Sequence, residues 1–301
     1  MENSLALDYP ADKLRIVWVT DGSDDGTNDR LQTHWNGKVT VYFQPKRQGK
    51  TAAMTRGMTL VRTPLVVFTD ANTMVNSEAI REIVLAFQNP KVGCVAGEKR
   101  IDVQTKDGAA GELFAVRREL FEPMEPDTLL DDFILSLRIA MKGYTIAYCT
   151  NAYAIESGSA DMGEEEKRKV RIAAGGLQSI WRLLPLLNPF RYGILSFQYT
   201  SHRVLRWSVT PFLLFALLPL NIVVLLLGES PLFYGTLLGL QILFYGMGYW
   251  GYYLSTRQIK NKVLFIPYYF LFMNVNVLKG IDYLKRKKGS GAWEKAKRAE
   301  K

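Results

Sequence analysis

The sequence predicts an α/β domain, a mostly parallel sheet with flanking helices, followed by a C-terminal region of transmembrane helices. Three observations predict it. Short apolar runs rich in β-branched residues alternate with helical patterns between residues 14 and 153, as in parallel-stranded α/β domains. Beyond residue 206 the chain enters long stretches without a charge. The charge also divides there. Residues 1–206 carry 26 basic against 25 acidic side chains (+1), whereas residues 207–301 carry 12 against 4 (+8). A basic excess confined to the apolar third argues against a nucleic-acid-binding domain, which wants its positive patch on a soluble body. Cys94 and Cys149 are too few for a disulfide scaffold, and no Cys/His cluster has zinc spacing. A composition 48% hydrophobic and 22% charged excludes disorder. The expected division is residues 1–200 and 201–301.

The elements follow in order. Residues 14–20 (LRIVWVT) read as a buried strand and residues 39–43 (VTVYF) as a second. Residues 51–61 have helical spacing, and residues 65–69 (LVVFT) form a third strand after Pro64. Residues 77–87 read as a helix with Ser77 as N-cap, residues 92–96 as a strand, and residues 131–142 as a helix ending at Gly143. Residues 1–12 hold no basic segment followed by an apolar stretch, so no signal peptide is expected.

Residues 207–227 are 21 residues without a charge. As a helix they span about 31 Å, enough for a hydrocarbon core of about 30 Å. Residues 231–254 are a second uncharged stretch of 24. Residues 263–278 are a third of 16 with Pro267, Asn274 and Asn276 inside it; a span, a buried core helix and an interfacial or re-entrant helix all fit. Arg203 and Arg206 precede the first stretch, Glu229 alone separates the first two, and Arg257, Lys260 and Lys262 follow the second. The positive-inside rule then places residues 1–206 and the 255–262 loop in the cytoplasm of a multi-pass membrane protein. The basic run Lys285 to Lys288 stays cytoplasmic only if the third segment does not cross.

Ligands of such sheets bind beyond the carboxyl ends of the strands. Asp21 ends the first strand, in Asp21-Gly22-Ser23-Asp24-Asp25-Gly26-Thr27, and Asp70 ends the third, in Phe68-Thr69-Asp70-Ala71-Asn72-Thr73. Aspartates there can accept from ribose or base donors or ligate a hard divalent cation; ordinary turn chemistry is the competing explanation. The first motif mimics the start of an EF-hand, but Gln32 stands where the bidentate Glu belongs. Gly49-Lys50-Thr51 mimics the end of a P-loop, but Gln44 stands where its first glycine belongs. Lys50 at a helix start can still face phosphate. Asp131 and Asp132 open a later helix, where they serve either as caps or, one of them, as a general base; Arg138 beyond them can pair with a carboxylate.

These motifs, ordered Asp-Gly-Ser-x-Asp-Gly-Thr, Gly-Lys-x-x-Ala, Phe-Thr-Asp-Ala-Asn-Thr and Asp-Asp-Phe-x-Leu-Ser-Leu-Arg-x-x-x-x-Gly-Tyr, resemble the family 2 glycosyltransferases of the membrane-bound branch over residues 4–207. The resemblance implies a GT-A-like fold and inverting transfer from a nucleotide-diphosphate sugar, a UDP-sugar, to a polysaccharide or lipid-linked acceptor. Under it, Asp21 contacts the nucleotide, Lys50 the diphosphate, and Asp70 and Asn72 hold the donor and a divalent metal, Mg²⁺ or Mn²⁺. Asp132 is the catalytic base. Arg171, in Arg168-Lys169-Val170-Arg171-Ile172, matches the arginine of a synthase motif that faces the diphosphate or acceptor; a solvated basic face is the alternative. The implied partners are the donor, a glycan or lipid-linked acceptor and membrane lipids, with no nucleic acid. Residues 177–187 read as an interfacial helix or a core helix.

The chain departs from the family pattern in places. The first strand, with its Pro-x-x-Asn-Glu signature, is missing from the sequence, which should leave an apolar sheet edge and a weakened pocket. The acceptor region around residues 101–110 is short. Asn72 replaces the second acid of the metal motif, predicting weaker metal binding. The Gln and Trp of the synthase motif are absent, which favours addition of one or a few sugars over processive polymerisation. The competing expectation is a catalytically inactive remnant or partner subunit.

Overall fold

The computed structural model describes residues 2–35, 37, 39–101, 113–156, 162–259 and 261–286. The shortened acceptor region and the basic run beyond Arg286 lie outside the described residues. The chain forms two compact units, divided between Glu165 and Glu166.

In the first unit the order is α1 (Glu2–Leu5), β1 (Val17–Asp21), α2 (Thr27–Trp35), β2 (Thr40–Gln44), α3 (Lys50–Met58), β3 (Leu65–Thr69), β4 (Met74–Val75), α4 (Ala79–Ala86), β5 (Val92–Ile101), β6 (Leu113–Arg117), α5 (Asp131–Met141) and β7 (Thr145–Glu156). The expected strands and helices form where the apolar runs and helical spacings put them, within a few residues. Ser77 is not the cap of α4: Glu78 holds that position with no side-chain cap bond, and the Ser77 carbonyl instead accepts the N–H of Asp8.

The strands make a mixed arrangement, not the mostly parallel one expected. β1 and β2 pair in parallel; in the second sheet, ordered β3-β6-β5-β7-β4, only β5 and β7 run parallel. β6 is antiparallel to both its neighbours. Its residues Leu113 to Val116 are buried on both faces, so β6 shows no alternation to read in the sequence. The core forms where Ala79 and Ile83 of α4, with Phe87 just after it, pack over Val95, Ala115 and Ala154. Gly93 of β5 lies under Ile139 of α5, which seats that helix on the sheet.

β1 and β3 are each an edge of their sheet. Both are largely apolar, β3 throughout Leu65–Phe68 and β1 through Val17–Val19, with Asp21 the one charge, at the carboxyl end of β1.

The second unit contains most of α6 (Met162–Arg182), then α7 (Pro189–Tyr199), α8 (Leu205–Trp207), α9 (Val209–Leu226), α10 (Pro231–Thr256) and α11 (Lys262–Arg286). Two described helices, α9 and α11, are long and apolar enough to cross a membrane. α10 has the length, 26 residues, but its glycines, tyrosines and Gln241 lower its hydropathy. α11 runs through Pro267 for 25 residues, longer than the 16-residue apolar stretch, because its last two turns are charged. Residues 177–187 divide between the end of α6 and a 3₁₀ turn, with Trp181 exposed and Leu183 and Leu186 buried.

Candidate active site

The site is assembled at the start of α3. Gly22, after β1, has φ +64° and its N–H donates to the Gln44 carbonyl at the end of β2. A Cβ there would lie 2.6 Å from the Arg47 nitrogen, so only glycine lets the two chain segments approach. The approach brings residues 48–49 to Asp21. Its Oδ2 accepts the backbone N–H groups of Gln48 (2.9 Å) and Gly49 (2.6 Å), while its Oδ1 pairs with Arg56 of α3 at 2.5 Å. Asp21, expected as a nucleotide contact, thus has both oxygens engaged within the chain, clamping the loop that delivers Lys50.

Thr51 follows, buried, its hydroxyl donating to the Pro126 carbonyl at 3.3 Å. The 125–128 segment is closed by Thr128 on the Glu125 carbonyl, and the Glu125 carboxylate receives Arg138 at 3.1 and 3.2 Å. Arg138 therefore pairs with a carboxylate, as its position suggested, and holds the entry to α5. These contacts set Lys50 against the first turn of α5.

The Lys50 ammonium lies 3.0 Å from Asp70 Oδ1 and 3.2 Å from Asp131 Oδ2. Asp70 ends β3 and opens a turn in which the Thr73 N–H and hydroxyl both donate to the Asp70 carbonyl, placing Asn72 on its exposed arc. Asp131 is buried, and its Oδ2 meets Lys50 without a hydrogen bond of good geometry. Asp132 follows at the second position of the helix. The strand ends, the α3 start and the α5 start thus converge on one lysine.

The electrostatics follow from this crowding. Burial, reinforced by the Asp131 charge, pushes the Asp132 carboxyl up to about 7 against the partial relief given by Lys50. Burial works against the Lys50 charge, but Asp131, Asp70 and Asp132 together outweigh it and hold the ammonium well above the usual lysine range. Burial and then Asp132 push the Cys94 thiol of β5 up to about 12, leaving an inert thiol near the carboxylates. A carboxylate that titrates near neutrality is suited to take a proton at pH 7.

Asp70 and Asn72 fit a divalent metal in a limited sense. Both offer hard oxygen donors, and Asp70 already attracts a cation, the lysine ammonium. Among the described residues no three His, Cys, Asp or Glu side chains are grouped to hold a metal. An ion here would complete its shell with water and phosphate oxygens, as Mg²⁺ commonly does.

Of the sequence-predicted residues, the structure brings together Asp21, Lys50, Asp70, Asn72 and Asp132 in the first unit, while Arg171 lies on α6 in the second. Sequence reading left out Asp131 as the second partner of Lys50, and Arg56 as the partner of Asp21. Asp131 had a signal, its adjacency to Asp132. Arg56 had none that distinguished it from other basic residues.

Residues 3–148 match the family described as Glycosyl transferase family 2. The chain is 26% identical over 216 residues to the poly-β-1,6-N-acetyl-D-glucosamine synthase of Staphylococcus aureus strain COL, and equally to that of strain MSSA476, covering 60% of this chain and 52% of those proteins. It therefore spans about half the length of the curated relatives it matches. The mannosyltransferase PcManGT from Pyrobaculum calidifontis, solved with GDP-Man and Mn²⁺, superposes with a TM-score of 0.68 at 21% identity over 95% of this chain and 82% of that one. This likeness shows a GT-A-like fold. Residues 3–148 thus resemble a glycosyltransferase domain of family 2, on a GT-A-like fold.

Proposed function

We propose that the chain is a membrane-anchored inverting glycosyltransferase. It transfers a sugar from a nucleotide-diphosphate sugar, a UDP-sugar, to a polysaccharide or lipid-linked acceptor on the cytoplasmic face. The observation that carries this reading is the convergence of Asp70, Asp131 and Asp132 around Lys50 at the carboxyl end of the sheet.

In this reading Asp132 takes the proton of an acceptor hydroxyl. The freed oxygen forms a bond to the anomeric carbon as that carbon's bond to the phosphate oxygen breaks, the electron pair leaving with the diphosphate. One displacement inverts the anomeric configuration, and no covalent glycosyl-enzyme forms. Lys50 faces the departing diphosphate, and Asp21 with Arg56 shapes the loop that carries it. Arg171 is assigned to the diphosphate or acceptor. A divalent ion held by Asp70 and Asn72 would supply further positive charge for the leaving group. The Mn²⁺ bound by the mannosyltransferase supports that assignment.

One observation favours a second reading, a chain inactive by itself: among the described residues β1 and β3, which lead into the site, each pair with a strand on one side only. Calorimetric titration of UDP and, separately, GDP with Mn²⁺ into the detergent-solubilised chain tests the first reading, with Asp70→Ala as control. Binding abolished by Asp70→Ala is expected. No binding of either nucleotide by a folded chain would favour the second reading.

A further inference from the structure

Lys50 stands where its role in nucleotide binding and the role of Asp70 in metal binding compete. Its ammonium sits on Asp70 Oδ1 at 3.0 Å, so a divalent ion approaching that oxygen meets a cation already in place. Among the described residues no three His, Cys, Asp or Glu side chains are placed to hold a metal together, so Asp70 has no such cluster with which to out-compete the ammonium. Lys50 also has a second anchor in Asp131 at 3.2 Å, so it can leave Asp70 without losing every partner. Its side chain is 31% exposed, which gives it an open side toward which to swing.

We propose that Lys50 is an exchangeable counter-ion: it occupies Asp70 until a diphosphate draws it away about Asp131, so that tight binding of a divalent cation at Asp70 requires nucleotide. The inference rests on the metal and diphosphate assignments proposed above. A diphosphate offers the ammonium a partner of higher charge, and the released Asp70 offers the ion a free carboxylate. Nucleotide and metal then each raise the other's affinity, as linkage demands. The arrangement keeps the leaving-group charges from assembling before there is a leaving group to neutralise.

The test is Mn²⁺ titration by electron paramagnetic resonance, without nucleotide and then with saturating UDP. It uses wild type, Lys50→Met, and Lys50→Met/Asp131→Asn, in which Asp131 no longer stands as a buried carboxylate stripped of its ion-pair partner. Without nucleotide, both variants are expected to bind Mn²⁺ about five-fold more tightly than wild type, the scale of one partly exposed ion pair released. UDP is expected to tighten Mn²⁺ binding strongly in wild type and weakly in the variants. Equal or weaker Mn²⁺ binding in the double variant, or an undiminished UDP effect, overturns the exchange. Asp70→Ala in the Lys50→Met background separates the two layers. If it abolishes Mn²⁺ binding while Lys50→Met gave no tightening, only the exchange fails. If Mn²⁺ binding survives Asp70→Ala, the metal assignment itself is wrong.

Discussion

The ammonium of Lys50 lies 3.2 Å from Oδ2 of Asp131, one residue before Asp132. That single contact joins the start of α3 to the start of α5. It puts a cation and a buried anion beside the carboxylate assigned as base. Asp131 raises the proton affinity of Asp132 and Lys50 lowers it, and burial leaves the balance near neutrality.

Replacing Asp132 with Asn should lower the rate of sugar transfer about 1,000-fold, within the range attributed to a positioned general base. Nucleotide affinity should be essentially unchanged, because in the proposed reading Lys50 faces the diphosphate and Asp70 holds the metal. Single-turnover transfer and calorimetry on the same preparation check both halves. Unchanged turnover would remove Asp132 from the mechanism.

The pH dependence has a defined sign. Asp132 must be ionised to accept a proton, so kcat/KM should climb with a single ionisation near pH 7 as pH rises. Asp131→Asn removes the neighbouring charge that raises this value, so the rise should move to lower pH. The same shift acts on stability. A carboxyl whose folded pKa is raised favours the fold below its unfolded value of about 4, and that contribution is lost as pH rises to about 7. Asp132→Asn should therefore unfold at a higher temperature than wild type at pH 8, and at a similar one at pH 4. A scan at the two pH values decides it.

The clamp at Asp21 predicts an indirect effect on binding. Asp21→Ala frees the N–H groups of Gln48 and Gly49 and leaves Arg56 its bond to the Gln48 side chain but no carboxylate from Asp21, at a cost of about 2 kcal/mol for charge-assisted bonds. Nucleotide affinity should fall through displacement of Lys50. A double-mutant cycle of Asp21→Ala with Lys50→Met should then be strongly non-additive. Full additivity would mean that Asp21 acts on the nucleotide independently of Lys50.

Membrane topology is testable at the C-terminus. The uncharged part of α11 covers residues 263–278, about 24 Å of helix, short of a hydrocarbon core of about 30 Å. Lys279 beyond it pairs with Glu166 of α6. A reporter fused after Lys301 should read out on the cytoplasmic side. Accessibility from the outer face alone would show that α11 crosses completely.

Close packing of α10 against α11 depends on Gly251, where an added Cβ would collide with the Leu264 carbonyl oxygen and the Tyr268 side chain. Gly251→Leu should destabilise the helical unit by about 2 kcal/mol, the usual scale of overpacking. Gly239→Leu, on the same helix in open space, should not. Thermal unfolding in detergent compares them.

The sequence by itself determined the alternation of strands and helices, the uncharged helices after residue 206, and the acids at the strand ends. Each is a local property: an unbroken apolar run of β-branched residues such as 65–69 has few alternatives to a buried strand, and a polar turn after it must lie at the sheet's edge. What only the tertiary structure decided depends on residues distant in the chain. The antiparallel placement of β6 follows from a chain path that leaves no period in LFAVR. The engagement of Asp21 by Gly49 and Arg56 depends on how closely Gly22 lets the loop after β2 approach. Lys50 reads in sequence as a phosphate contact. Its pairing with Asp70 and Asp131 arises because two loops and a helix start are brought to one point, and the balance of burial and charge there exists only once they meet.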